Sequence, residues 1–180
     1  MTQDGLFEDP AKYVIDTNVI VSFLGDGDSE HYPMDVFKPQ WDFLETAVKG
    51  GQVIAPGVVA DELEKWTKNR PAIKIWLQDH RYMFHEATDG SELAAAKAIV
   101  NAFPAYATSA NYLGDLEVMA FAHARGLRVI SLELRANQHS AKRPKIPNVC
   151  EQFGIGWVSL AGFLRAEGFA ESAEVPGTAI

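Results

Sequence analysis

Short apolar runs alternate with amphipathic stretches along almost the whole chain. Tyr13-Val14-Ile15 is an apolar run that stops at Asp16 and predicts a buried strand, and Thr17 to Leu24 predicts the helix after it. Trp41, Leu44 and Val48 recur at helical spacing and predict a helix from Pro39 to Val48, stopped by Gly50-Gly51. Val53-Ile54-Ala55 predicts a brief strand, Pro56 opens a helix that runs to Trp66, and Pro71 starts another. Tyr82-Met83-Phe84 fits either a strand or a connector. An Ala- and Leu-rich stretch at 91–102 predicts a helix closed by Pro104, and a loop from Ala105 to Asn111 follows. The helix Asp115 to Arg125 is nearly all apolar and ends at Gly126, and Leu127 to Leu132 is the clearest strand pattern. Beyond a basic loop from Glu133 to Lys145, a short helix is expected near Val149, a strand at Trp157-Val158-Ser159 and a helix from Leu160 to Ala166. Strands alternating with helices predict an α/β domain with a mainly parallel central sheet.

The chain has 180 residues, the size of one ordinary domain. The expected division is a flexible lead-in over 1–11, a single domain over 12–168 and a flexible tail over 169–180. The longest apolar run is Val118 to Ala122, far short of the roughly 18 residues that a bilayer span needs. No membrane partner is expected. Cys150 is the single cysteine and the start of the chain lacks a basic, then apolar, export signal, so a reducing cytoplasmic setting is expected. Sixteen Lys and Arg against 24 Asp and Glu give a formal charge of −8, which argues against a protein that coats nucleic acid by bulk charge.

That acidity has particular addresses. In an open parallel sheet, sites form at the C-terminal ends of strands, where Asp16 sits. Asp16 is also well placed as a helix N-cap, a function Thr17 or Asn18 could equally serve. On a helical wheel of about 100° per residue, Val59 and Leu63, with Trp66, define an apolar stripe. Glu62 falls about 60° from Val59 at its edge, whereas Asp61, Glu64 and Lys65 lie well away from it. The wheel for the later helix places Asp115 on the side of Val118, Met119 and Ala122, with Glu117 outward, although Asp115 also suits a helix start. Val129, Ser131 and Glu133 share one strand face, so Glu133 emerges at the edge that carries Asp16.

Carboxylates about 5 Å apart repel by roughly 3 kcal/mol at an effective dielectric near 20. Four together require raised pKa values or intervening cations. An all-oxygen set without paired Cys or His favours Mg²⁺ or Mn²⁺ over zinc. Hard ions held this way suit phosphodiester hydrolysis, because they acidify water and offset charge on the phosphate.

These residues resemble the PIN-domain superfamily, which includes VapC-type toxin ribonucleases. The resemblance is carried by Val14-Ile15-Asp16-Thr17-Asn18-Val19, by Glu62 within Val58 to Leu63, by Asp115 at the head of its helix and by Val129 to Glu133. Tyr32 to Phe37 and Lys145 to Cys150 are similar to a subgroup filed as a domain of unknown function. The resemblance runs from about residue 13 to 165, with Glu133 where Asp is commoner and Glu117 where an apolar residue is usual. It implies a three-layer α/β/α sandwich. It also implies a metal-dependent endoribonuclease, the toxin of a type II toxin–antitoxin pair, with Asp16, Glu62, Asp115 and Glu133 as catalytic ligands of Mg²⁺ or Mn²⁺.

Thr17, Asn18 and Ser131 either orient those carboxylates by hydrogen bonds or serve as ordinary cap and strand-end residues. Lys142, Arg143 and Lys145 either meet the RNA backbone or decorate a solvated loop. An antitoxin would place an Arg or Lys among the acids, and a homodimer would use Phe37 or Trp41, which suit a core equally. The five His have no common spacing, and Cys150 and the Trp residues suit the core. Two other functions compete. One is a non-catalytic PIN-fold interaction module with a decayed site. The other is a dehalogenase-like phosphatase, disfavoured because Asn18 stands where that chemistry needs a second Asp.

Overall fold

The computed structural model describes residues 10–25, 31–86, 90–137 and 144–169. Most of the expected lead-in, of the Gly25 to His31 loop and of the tail, together with Lys142 and Arg143, therefore lie outside the described residues. The strands are β1 Tyr13–Ile15, β2 Val53–Pro56, β3 Phe84–His85, β4 Arg128–Ser131 and β5 Trp157–Ser159. The helices are α1 Thr17–Leu24, α2 Lys38–Lys49, α3 Gly57–Trp66, α4 Pro71–Asp79, α5 Gly90–Ala102, α6 Leu113–Arg125, α7 Ile146–Phe153 and α8 Leu160–Ala166. The sheet order is β3-β2-β1-β4-β5 and every pairing is parallel. Helices cover both faces, so the fold is a three-layer α/β/α sandwich. No helix among the described residues is long and apolar enough to cross a membrane.

Side-chain alternation along β1 assigns the two faces. Tyr13 packs edge-on against Phe163 of α8, with ring centroids 5.1 Å apart, and Phe163 also meets Phe43 of α2. Tyr13 thus marks the layer of α2 and α8. Val14 points the other way, toward α6, which runs against β1, β2 and β4 and packs on α3, α5 and α7. Val14, Ile15, Val129 and Ile130 are wholly buried. Trp41 belongs to this interior, packed on Phe23 and Trp76, and Phe37 lies edge-on to Tyr32. Of the two roles open to Trp41, interface or core, the structure shows the core one. Glu45 of α2 ties that helix to α4, accepting from the Trp76 Nε1–H and from His80 Nε2 at 3.1 Å.

Several element boundaries differ from the sequence reading for local reasons. Trp66 is 41% exposed and lies under the Arg70 guanidinium, so the buried stripe of α3 is Val59 and Leu63 alone. The ambiguous Tyr82 stretch is a 3-10 turn, Arg81–Met83, leading into β3. The expected loop at 105–111 contains two more such turns, Pro104–Ala107 and Ala110–Tyr112. Because the second runs straight into α6, that helix begins at Leu113 rather than at Asp115. Gly126 closes it in the left-handed region at φ 67°, where a side chain would be strained.

Candidate functional site

Strand order reverses direction between β1 and β4, since the chain builds outward from β1 to β3 and later from β4 to β5. In open α/β sheets this is the crevice where ligands bind. The register pairs Val14 with Val129 and Ile15 with Ile130. One step further the chain places Asp16 beside Ser131, both on the face covered by α6, and the Ser131 hydroxyl donates to Asp16 Oδ2 at 3.2 Å. The same hydroxyl oxygen accepts the Glu133 N–H at 3.0 Å. Asp16 occupies the N-cap position of α1, but its carboxyl makes no cap hydrogen bond. It is 2% exposed.

Glu62 arrives from α3, half-buried as its wheel position requires, and accepts from the Thr17 hydroxyl. Its carboxylate rests on α6 at Gly114. A Cβ there would sit 2.6 Å from the Glu62 carboxyl carbon, so only glycine leaves this seat open. Asp115, the next residue, projects from the first turn of α6 and has no hydrogen-bond donor among the described residues. Glu133 accepts from Lys145 Nζ and from the Ile146 N–H, both at 2.7 Å, so it also caps the start of α7.

The four acids interact electrostatically. Burial, then the neighbouring Glu133 and Glu62, push Asp16 up to about 7, although Ser131 pulls the other way. Burial, then Asp16, Glu133 and Glu62, push Asp115 up to about 8, with Lys145 opposing. Lys145 itself is raised, chiefly by its hydrogen bond to Glu133. These two carboxyls therefore carry protons near neutrality or need a positive charge beside them. Among the described residues no group of three His, Cys, Asp or Glu side chains is arranged to hold an ion in this conformation. The Thr17 hydroxyl bonds Glu62, and Lys145 and the Ile146 amide bond Glu133. The donor set is nevertheless all oxygen, the ligand chemistry that hard divalent cations take.

Of the supporting residues, Thr17 and Ser131 bond the acids, whereas Asn18 is exposed. Asn18 borders an open cavity of about 480 Å³ with Ser22, His31, Glu133 and Lys145. Glu117 lies off the core side of α6, as the wheel requires, but not in open water, and Glu62 is among the charges that act on it. It is half-buried in a second hollow of about 300 Å³ beside Asp61, Glu86 and Glu92, and burial followed by Asp61 raises its pKa. Cys150 is buried, and burial pushes its thiol up to about 12, consistent with a core position.

Residues 13–170 match the family described as a domain of unknown function, DUF4411. The chain belongs to this family. Comparison with curated proteins and with solved structures returned no match. Family membership thus spans the sheet and all four acids, and the function of this DUF4411 chain has to be argued from the site itself.

Proposed function

We propose that this DUF4411 protein is a PIN-like, metal-dependent endoribonuclease that hydrolyses RNA phosphodiester bonds. What supports this reading is the electrostatic coupling of Asp16 and Asp115 with Glu62 and Glu133, four acids from separate segments near the sheet's switch point, which with burial raises the first two to about 7 and about 8. Asp16 and Asp115 would hold Mg²⁺ or Mn²⁺, joined by Glu62 and Glu133 as they leave Thr17 and Lys145. When bound, such an ion polarises the phosphoryl group and makes water acidic enough to attack. Ser131 fixes one Asp16 oxygen, and Thr17 guides Glu62. Lys145, released from Glu133, becomes a phosphate contact beside the cavity lined by Asn18 and His31. The expected setting is cytoplasmic, and the biological role is the toxin of a toxin–antitoxin pair, with an antitoxin cation competing for the acids and a homodimer as the assembly.

A second reading is a non-catalytic interaction module, favoured by the full engagement of Glu133 as a cap of α7. Incubation of RNA with the protein and Mn²⁺ separates the two. The ribonuclease reading requires internal cleavage that EDTA stops and that Asp16→Asn or Asp115→Asn abolishes in folded protein. Cleavage that persists in both variants overturns the site, and intact RNA under all divalent conditions supports the interaction module.

A further inference from the structure

The turn Pro104–Ala107 brings one more polar group to this end of the molecule. Tyr106 is 4% exposed, and its ring stands edge-on to Phe103 at 6.5 Å and to Tyr112 at 5.8 Å. Its hydroxyl is sealed from solvent and has no hydrogen-bond partner among the described residues. Beyond burial itself, the groups that act on it most are Asp115 and then Glu133, and a phenolic hydroxyl at neutral pH is a donor. An orphan buried hydroxyl is destabilising, and phenylalanine would fill the same space without it.

The acids show a matching deficit. Asp16 has the Ser131 hydroxyl, Glu62 has the Thr17 hydroxyl, and Glu133 has the Ile146 amide. Among the described residues, Asp115 alone of the four has no donor. A carboxylate that gives one oxygen to a cation is ordinarily oriented by a hydrogen bond to its other oxygen. We propose, resting on the cation-binding reading above, that Tyr106 is the positioning residue for Asp115: in the cation-loaded protein its hydroxyl donates to the Asp115 carboxylate and fixes the direction that carboxylate faces. The unpartnered hydroxyl and the unpartnered carboxyl are the two halves of one hydrogen bond that forms only when the centre is filled.

Tyr106→Phe keeps the ring and removes the donor. In EDTA its melting temperature equals or exceeds that of the wild type, because no existing bond is lost. Its affinity for Mn²⁺, measured by titration calorimetry, falls about tenfold, whereas Tyr112→Phe leaves it unchanged. Adding Mn²⁺ to the wild type produces a tyrosine ultraviolet difference band that is absent in Tyr106→Phe and in Asp115→Asn. A Tyr106→Phe protein that is destabilised in EDTA shows that the hydroxyl already has a partner, and overturns the proposal. So does unchanged Mn²⁺ affinity, or a difference band that survives in Tyr106→Phe. If the wild type itself binds no Mn²⁺, the cation reading fails and the role of Tyr106 fails with it, an outcome distinct from wild-type binding that the variant retains.

Discussion

Replacing Asp16 by Asn removes a buried ionisable group while leaving an oxygen for the Ser131 hydroxyl to bond. Asp16 rises from an ordinary value of 3.8 to about 7 in the folded protein. At about 1.4 kcal/mol per pH unit, this corresponds to about 4 kcal/mol of destabilisation once the carboxyl is ionised. The sign follows from proton uptake. Between pH 4 and 7 the folded state keeps the Asp16 proton that the unfolded chain has lost, so the contribution of Asp16 to stability is greatest below about pH 4 and is lost as pH rises through the folded value. Asp115, raised to about 8, acts in the same direction. Each carboxyl raises the other, so their effects overlap rather than add. From pH 5 to pH 8 the cation-free wild type should lose about 3 kcal/mol through Asp16 alone, a large share of the 5 to 15 kcal/mol typical of a domain. The assay is urea unfolding at both pH values in EDTA. Asp16→Asn should be several kcal/mol more stable than wild type at pH 8, with a shallower pH dependence and an unchanged denaturant slope. Mg²⁺ at about a hundredfold excess over its dissociation constant should restore about 2.7 kcal/mol to the wild type and nothing to the variant. A wild type more stable at pH 8 than at pH 5 in EDTA, or an Asp16→Asn protein weaker than wild type at pH 8, would refute the reasoning.

Two further substitutions separate the site from its scaffold. Gly114→Ala places a methyl where the Glu62 carboxylate rests. Cleavage of RNA should drop at least about tenfold, a loss of about 1.4 kcal/mol in the barrier, while urea unfolding in EDTA shows no loss of stability, because alanine favours a helix. Glu45→Ala leaves the Trp76 Nε1–H and His80 Nε2 unpaired inside the α2–α4 contact, while His80 Nδ1 keeps the Trp76 carbonyl. It should cost about 3 kcal/mol in urea unfolding and leave the cleavage rate per folded molecule unchanged.

How much of this was legible in the sequence depends on how local each determinant is. β1 and β4 announce themselves as apolar runs ending at Asp16 and near Glu133, and the strand period places Ser131 and Glu133 on one face. The helical wheel singles out Glu62 from three charged neighbours because only one side of α3 meets the core. β3 was undecidable because it is only Phe84–His85, a pairing created by β2 rather than by its own pattern. Trp66 misled because aromatic character suggests burial, whereas its face packs under Arg70. The grip of Lys145 and Ile146 on Glu133 joins residues 12 and 13 positions apart and leaves no periodic trace. Tyr106 gave no signal at all, since a missing partner is a property of the packed molecule. Gly114 did stand beside Asp115 in the sequence, but its function as a seat for Glu62 required the contact between α3 and α6.

Calorimetric titration of Mn²⁺ into the metal-stripped protein at pH 7.5 tests the central claim most directly. Binding by the wild type that releases protons and disappears in both Asp16→Asn and Asp115→Asn is the predicted result. No binding by the wild type, or binding that both variants retain in full, would contradict the account.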